Sequence, residues 1–319
     1  MRMERAQFAE AREFLARHLP QTRLVAAESF SQDPKQKVYL KLESELPTGS
    51  FKVRGALYAL HVNMKRRAIS AVVASSTGNH GAAVAYAAKL LGVKARIFLP
   101  ENSNPVKKAR IQGLGAEIVE KGAVDLAGAF GAASRYAAES GAFFLNDADD
   151  PDLPAGPGTI AMEILEKAPE VEVIYVPMGD TALIRGVAEA AKQTTNKAKV
   201  VGVQSEQAPA YALSWKAGVA VGTDTCDTIA DGLATRTPLA ANVEAIQRLV
   251  DDVVLVSERE MLYAIRRLAL DEQIIAEPAG AAATAAFLKA NSKSTAGSVT
   301  LLVTGANVSR DILRTAICS

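Results

Sequence analysis

Lys52 is the side chain whose local sequence most suggests chemistry. It follows PTGS, a run of turn residues, and sits between Phe51 and Val53 where an amphipathic stretch begins. Ser50 stands where it would cap that helix. A lysine on a helix face ordinarily points to water, and that plain reading fits Lys52 by itself. Its apolar neighbours and the positive end of a helix would instead lower its pKa, as an amine that adds to a carbonyl requires. Residues 75–83, SSTGNHGAA, offer a second chemistry. A strand of small and β-branched residues precedes them and an alanine-rich helix follows. Hydroxyls and backbone N–H groups at such a helix start can hold a carboxylate or phosphate, or can simply cap the helix through Thr77 or Asn79. Residues 176–186, VPMGDTALIRG, repeat the strand–loop–helix arrangement around Gly179–Leu183. Taken alone they read as an ordinary turn capped by Asp180 or Thr181. EPAGAAA at 277–283 and VTGANVS at 303–309 each read singly as helix or strand punctuation.

The elements that would position these residues alternate along the chain. Short β-branched runs at 37–42, 71–74, 95–99, 117–119, 173–176, 200–203, 253–256 and 299–303 predict strands. Alanine-rich amphipathic stretches at 51–65, 80–91, 105–113, 123–140, 158–167, 182–193, 258–271 and 279–289 predict the intervening helices. Repeated β–α alternation points to mostly parallel sheets with helices on both faces, an α/β fold. NDADDPDLPAGPG at 146–158 interrupts the pattern with turn residues and marks a domain boundary. Residues 218–238 form a second irregular stretch, of the kind that often carries function.

Composition limits the alternatives. Lysine plus arginine number 36 against 35 aspartate plus glutamate, so the net charge of +1 gives no reason to expect nucleic acid or an anionic membrane as partner. Cys226 and Cys318 stand far apart, and with His18, His61 and His80 they make no zinc spacing. The N-terminal residues have helical spacing but no apolar signal core, and no run approaches a membrane span. A cytoplasmic protein with reduced thiols is the expectation.

The combination is more specific than its parts. TGSFKVRGA, SSTGNHGAA, the central strand–loop–helix, EPAGA and VTGAN occur in that order, and the whole chain resembles the fold-type II pyridoxal-phosphate (PLP) enzymes, the tryptophan synthase β family. SFKVRGA, the GNH triplet and TIADGLA at 228–234 are most similar to the threonine and serine dehydratases and serine racemases. The resemblance implies two domains, each a mostly parallel sheet flanked by helices. Residues 1–67 plus 148–319 would form the larger, cofactor-anchoring domain, and 68–147 the smaller. It implies PLP carried on Lys52 beside Phe51. Asn79 would face the cofactor's phenolic oxygen, Gly179, Asp180, Thr181, Ala182 and Leu183 its phosphate, and Thr304 its pyridine nitrogen, with Glu277 nearby. Ser76, Thr77, Gly78, Asn79 and His80 would grip the substrate carboxylate. The reaction implied is loss of water, then ammonia, from a 3-hydroxy amino acid, leaving a 2-oxo acid. Threonine and serine are the default substrates, and phenylserine or 3-hydroxyaspartate are further possibilities. A homodimer is expected from the family alone.

Some residues depart from the family pattern. The phosphate loop of relatives is a run of glycines, whereas here Asp180 and Thr181 interrupt it; Asp180 is expected to point away, toward Arg185. Thr77 stands where racemases place a catalytic serine, so a racemase remains an alternative, as does a replacement enzyme like threonine synthase. A noncatalytic PLP carrier is a third, opposed by the retention of Lys52, Asn79 and Thr304. The divalent-metal position of racemases would fall at Glu206, Ala210 and position 212; the last is alanine, and no metal site is expected. The chain ends soon after VTGANVS, so a C-terminal regulatory domain is not expected.

Overall fold

The computed structural model describes residues 2–318 except 32, 34, 77, 102, 104, 121, 124, 125, 195, 196 and 291–296. Six strands form one sheet: β1 (Leu24–Ala26), β2 (Lys37–Leu42), β7 (Val173–Pro177), β8 (Lys199–Ser205), β9 (Asp252–Val256) and β10 (Ser298–Val303), in the order β1-β2-β10-β7-β8-β9. Only β1 runs antiparallel to its neighbour. Four strands form a second, parallel sheet: β3 (Ala71–Ser75), β4 (Lys94–Phe98), β5 (Glu117–Val119) and β6 (Phe143–Phe144), in the order β5-β4-β3-β6. The predicted strands are all present, within a residue or two. The three-residue β1 and two-residue β6 carry too few positions to show a period.

The helices are α1 (Arg5–Ala16), α2 (Lys52–Arg66), α3 (Asn79–Leu91), α4 (Pro105–Gly113), α5 (Leu126–Ser140), α6 (Ala155–Lys167), α7 (Ala182–Thr194), α8 (Ala210–Ala217), α9 (Ala240–Leu249), α10 (Glu258–Asp271), α11 (Pro278–Ala290) and α12 (Arg310–Cys318). All six residues of β10 are buried, as expected of a central parallel strand covered on both faces. Local signals end and begin several helices. Gly92 takes a left-handed conformation at the end of α3, and Ser257 and Glu260 make a reciprocal capping box at the start of α10. Ser50 does not cap α2. The N–H of Phe51 goes instead to the Thr304 carbonyl, and Ser50 bridges Gly305, so the end of β10 holds the start of the Lys52 helix.

Helices α2, α6 and α7 approach through glycines. A Cβ on Gly186 would lie 2.1 Å from the Pro154 carbonyl oxygen, and one on Gly156 would lie 2.4 Å from that of Arg54. Backbone cannot yield as a flexible side chain does. Gly186→Ala is therefore expected to cost about 1–3 kcal/mol, read as a lower urea midpoint.

Parallel strands send their following loops out at one edge. The segments after β3, β6, β7 and β10 and the start of α2 thus meet in a crevice between the two sheets' carboxyl edges, where α/β folds bind ligands.

Candidate active site

Lys52 enters this crevice from the first turn of α2, and its Nζ is paired with the Asp147 carboxylate, three residues beyond β6. Both side chains are largely buried, 16% and 17% exposed. Burial alone would push the Lys52 amine down. The carboxylates of Asp147, Asp180 and Glu277 more than offset it and hold the pKa above the ordinary lysine value. The depressed amine expected from apolar sequence neighbours is thus not what the site holds in the free protein, because the deciding charges come from distant segments.

His80, in the first turn of α3, is buried and reaches the same loop. Its Nε2 donates to the Leu145 carbonyl at 2.9 Å, and its Nδ1 faces Asp147 at 3.8 Å. Burial, with Lys52 nearby, holds the imidazole pKa below its usual value against the pull of Asp147. Burial would raise the Asp147 carboxyl, but His80 and Lys52 keep it well below the usual range, so it is ionised at neutral pH.

On the other side of the crevice, Asn79 donates to Glu277 at 2.6 Å and accepts from the Asn307 amide at 2.5 Å. The Asn307 backbone N–H donates to the second Glu277 oxygen at 3.0 Å. Burial raises the Glu277 pKa and these two donors oppose the rise. Arg110 on α4 donates to Asn307 and to the Thr48 carbonyl. Gly305 leaves room for Glu277: a Cβ there would sit 2.4 Å from its Oε1.

The third part is the loop into α7. Gly179 passes so close to the Gly232 carbonyl that a Cβ would stand 2.2 Å from it, and Thr181 has a left-handed φ of 69°. Such a curl turns successive N–H groups toward one point at a helix N-terminus. Arg185 donates to the Thr181 hydroxyl at 3.1 Å. Asp180 is within reach of the charges of both Lys52 and Arg185. It accepts the Thr235 hydroxyl at 3.0 Å, and burial and the Asp147 charge, opposed by Lys52, raise its pKa to about 6.

The crevice thus offers an amine, an anion cradle at a helix start, a second hydroxyl- and amide-bearing loop, and a buried Thr304 at the end of β10. These fit PLP: an aldehyde for Lys52, a phosphate for the N–H groups of 179–183, and a ring between them. A family model described as pyridoxal-phosphate dependent enzyme matches residues 15–305. The chain belongs to that family. As a PLP-dependent enzyme it is 35% identical over 299 residues to the L-threonine ammonia-lyase of Geobacter sulfurreducens, covering 94% of this chain and 74% of that one. Its fold superposes on maize serine racemase with a TM-score of 0.92 at 28% identity, covering 100% and 98% of the two chains. A threonine deaminase from T.th. gives 0.89 at 31% identity, covering 96% and 99%.

Of the residues expected at the PLP site, Lys52, Asn79, His80, Asp180 and Glu277 are joined by the contacts and charges above, and Phe51 lies beside Lys52, whose Nζ is 5.6 Å from its ring centroid. Ser76 accepts the Gly78 N–H at 3.2 Å, shaping the loop. Thr77 lies outside the described residues. Asp147 falls in the 146–158 stretch and Asn307 in VTGANVS, both of which the sequence flags as segments without assigning these side chains a role, whereas nothing in the sequence points to Arg110. Glu206 pairs with Lys289 at 3.2 Å.

Asp180 beside an anion cradle has a measurable consequence. A bound phosphate disfavours the ionised carboxylate, so the Asp180 charge opposes cofactor binding above pH 6 and fades below it. Asp180→Asn is expected to bind PLP more tightly than wild type at pH 8, by roughly 10-fold, with the ratio approaching one at about pH 5. Fluorescence titration at the two pH values checks it; an equal ratio at both would contradict it.

Proposed function

We propose that the protein is a PLP-dependent ammonia-lyase that converts a 3-hydroxy amino acid, threonine or serine by default, to a 2-oxo acid and ammonia. The observation that supports this most is Lys52 paired with Asp147 beside the start of α3, in a chain 35% identical to an L-threonine ammonia-lyase. PLP, when bound, supplies the electron sink that makes the substrate Cα–H bond labile. Lys52 takes the Cα proton as general base. The loop of Ser76, Gly78 and Asn79 at the start of α3 orients the substrate carboxylate through its N–H groups and side chains. Asn79 is itself oriented by Glu277 and Asn307. The curl at 179–183 anchors the phosphate. Thr304 offers a hydroxyl rather than a carboxylate to the ring nitrogen, which cannot hold a proton there as an acid would. With Thr304 there, bound PLP would be a weaker electron sink, which would suit elimination of a β-substituent.

In this reading residues 1–67 plus 148–319 anchor the cofactor and 68–147 form the smaller domain. The protein works on a small molecule in the cytoplasm, as a homodimer; no helix among the described residues is long and apolar enough to cross a membrane. The test is incubation of the PLP-loaded protein with L-threonine and L-serine. Equal amounts of ammonia and 2-oxobutyrate or pyruvate are expected. Formation of the D-amino acid without ammonia would replace the lyase reading with a racemase.

A further inference from the structure

Asp147 sits in a loop that is pinned on both sides of it. The carbonyl of Leu145, two residues before, accepts from His80 on α3 at 2.9 Å. The carbonyl of Ala148, just after, accepts from Asn242 on α9 at 2.8 Å. Asn242 is buried, and its amide also reaches the Tyr211 hydroxyl at 3.2 Å. Between the two pins, the Asn146 side chain accepts the Ala148 N–H at 3.3 Å. A run of turn residues is costly to order, yet two helices fix this one so that a carboxylate meets the Lys52 ammonium. The titratable groups facing that ammonium are Asp147, Asp180, Glu277 and His80. Among the described residues, Asp147 is the one that touches Nζ. Burial works against the charged amine; Asp147 first, then Asp180 and Glu277, works for it. His80, which burial keeps neutral at pH 7, brings no competing positive charge.

We propose that Asp147 is a positioning residue for the proton of Lys52: whenever the amine is free, this carboxylate holds it as an ammonium within the crevice. The consequence in turnover rests on the ammonia-lyase reading; the consequence in the free protein does not. In the free protein, addition to an aldehyde requires the neutral amine, so the paired lysine must first lose a proton to solvent. In turnover, the Cα–H bond breaks, an N–H bond forms on Lys52, and the electron pair stays with the substrate until the β-substituent leaves. No oxidant or reductant is needed. A carboxylate against the new ammonium makes Lys52 the stronger base and opposes return of the proton to Cα. Asp147 acts through Lys52 alone, since a carboxyl held so far below its usual range is too weak a base to take the Cα proton itself.

The experiment labels the full-length, cofactor-free protein with acetic anhydride between pH 7 and 11 and reads acetylation of the Lys52 peptide by mass spectrometry. Wild type is compared with Asp147→Asn, Asp147→Glu and Asn242→Ala, with circular dichroism reporting an intact fold. At pH 8, Asp147→Asn should label at least about 10-fold faster than wild type, because more of its amine is neutral. Asp147→Glu should stay near wild type, and Asn242→Ala, which frees the loop but keeps the charge, should fall between. The gain in Asp147→Asn should shrink as pH passes the ordinary lysine value; a gain from easier access alone would persist at every pH and would overturn the proposal. Labelling of Asp147→Asn no faster than wild type would overturn it too. If Asp147→Asn does not fold, Asn242→Ala decides by the same pH criterion. In the PLP-loaded enzyme, Asp147→Asn should lower kcat for threonine by on the order of 3- to 10-fold with little change in KM, and an unchanged kcat would contradict the proposal. Failure of wild type to release ammonia from any 3-hydroxy amino acid would remove the lyase reading, and the labelling would still decide the proposal.

Discussion

Lys52→Ala is expected to abolish both the visible absorbance of lysine-bound cofactor and turnover, with a loss in kcat of at least about 10³-fold. Among the described residues of the crevice, its amine is the group that can both attach an aldehyde and take a proton at Cα. Its neighbours cannot replace it: Asp147 is held ionised with a low pKa, making it a weak base, and neither that carboxylate nor the buried His80 imidazole can form the stable link to an aldehyde that a lysine amine forms. Removing the amine also takes away the partner of a largely buried carboxylate, so Asp147 is expected to become easier to protonate and the loop after β6 less ordered. Absorbance and ammonia release read the first effect, and hydrogen exchange at residues 145–150 reads the second. Retained turnover would show that the chemistry lies elsewhere.

Arg54→Ala should be the most destabilising single change, costing about 3–5 kcal/mol. Arg54 stands two residues past Lys52 on α2 and is buried with Lys41, Glu43 and Glu163. Its guanidinium donates to Glu43 at 2.7 and 2.9 Å and to Glu163 at 2.6 and 3.0 Å. Lys41 pairs with Glu163 and donates to the Thr22 carbonyl at 3.0 Å, while the Thr22 hydroxyl donates to Glu43 at 2.7 Å. Two cations and two carboxylates balance, so loss of Arg54 leaves one buried negative charge uncompensated. Burial pushes the Glu163 carboxyl up, but Arg54 and Lys41 hold it below its usual pKa. That group thus stabilises the fold above the ordinary glutamate pKa, and the contribution is lost as pH falls through the depressed value. In Arg54→Ala much of this acid sensitivity should move to higher pH, since Glu163 keeps only Lys41. Urea unfolding of wild type and variant at about pH 7 and pH 4 checks both statements. A cost below about 1 kcal/mol at neutral pH would contradict the first.

Local patterns make most of the fold legible. A βα alternation needs only short-range periodicity, and β2, β5 and α10 begin and end where that periodicity does. The Lys52, Asn79 and 179–183 segments are legible too, because each is a turn–helix junction written in adjacent residues. What the sequence hides depends on distant partners. Asp147 lies in an Asp- and Pro-rich stretch that reads as a turn, and its meeting with Lys52 spans 95 residues. Apolar neighbours predict a depressed Lys52 pKa, but three carboxylates from three other segments reverse it. Ser50 reads as a helix cap until the carbonyl of Thr304 takes the N–H of Phe51. Arg54 is part of the SFKVRGA run, yet nothing local shows that it balances two buried glutamates.

The central claim is that the crevice around Lys52 is the active site and that Lys52 carries the cofactor. Borohydride reduction of the PLP-loaded protein, followed by digestion and mass spectrometry, tests it most directly. The reduced cofactor is expected on the peptide containing Lys52 and on no other, with loss of activity in proportion to labelling. A reduced cofactor on a different lysine, or none on any peptide from protein that still shows bound PLP, would contradict the account.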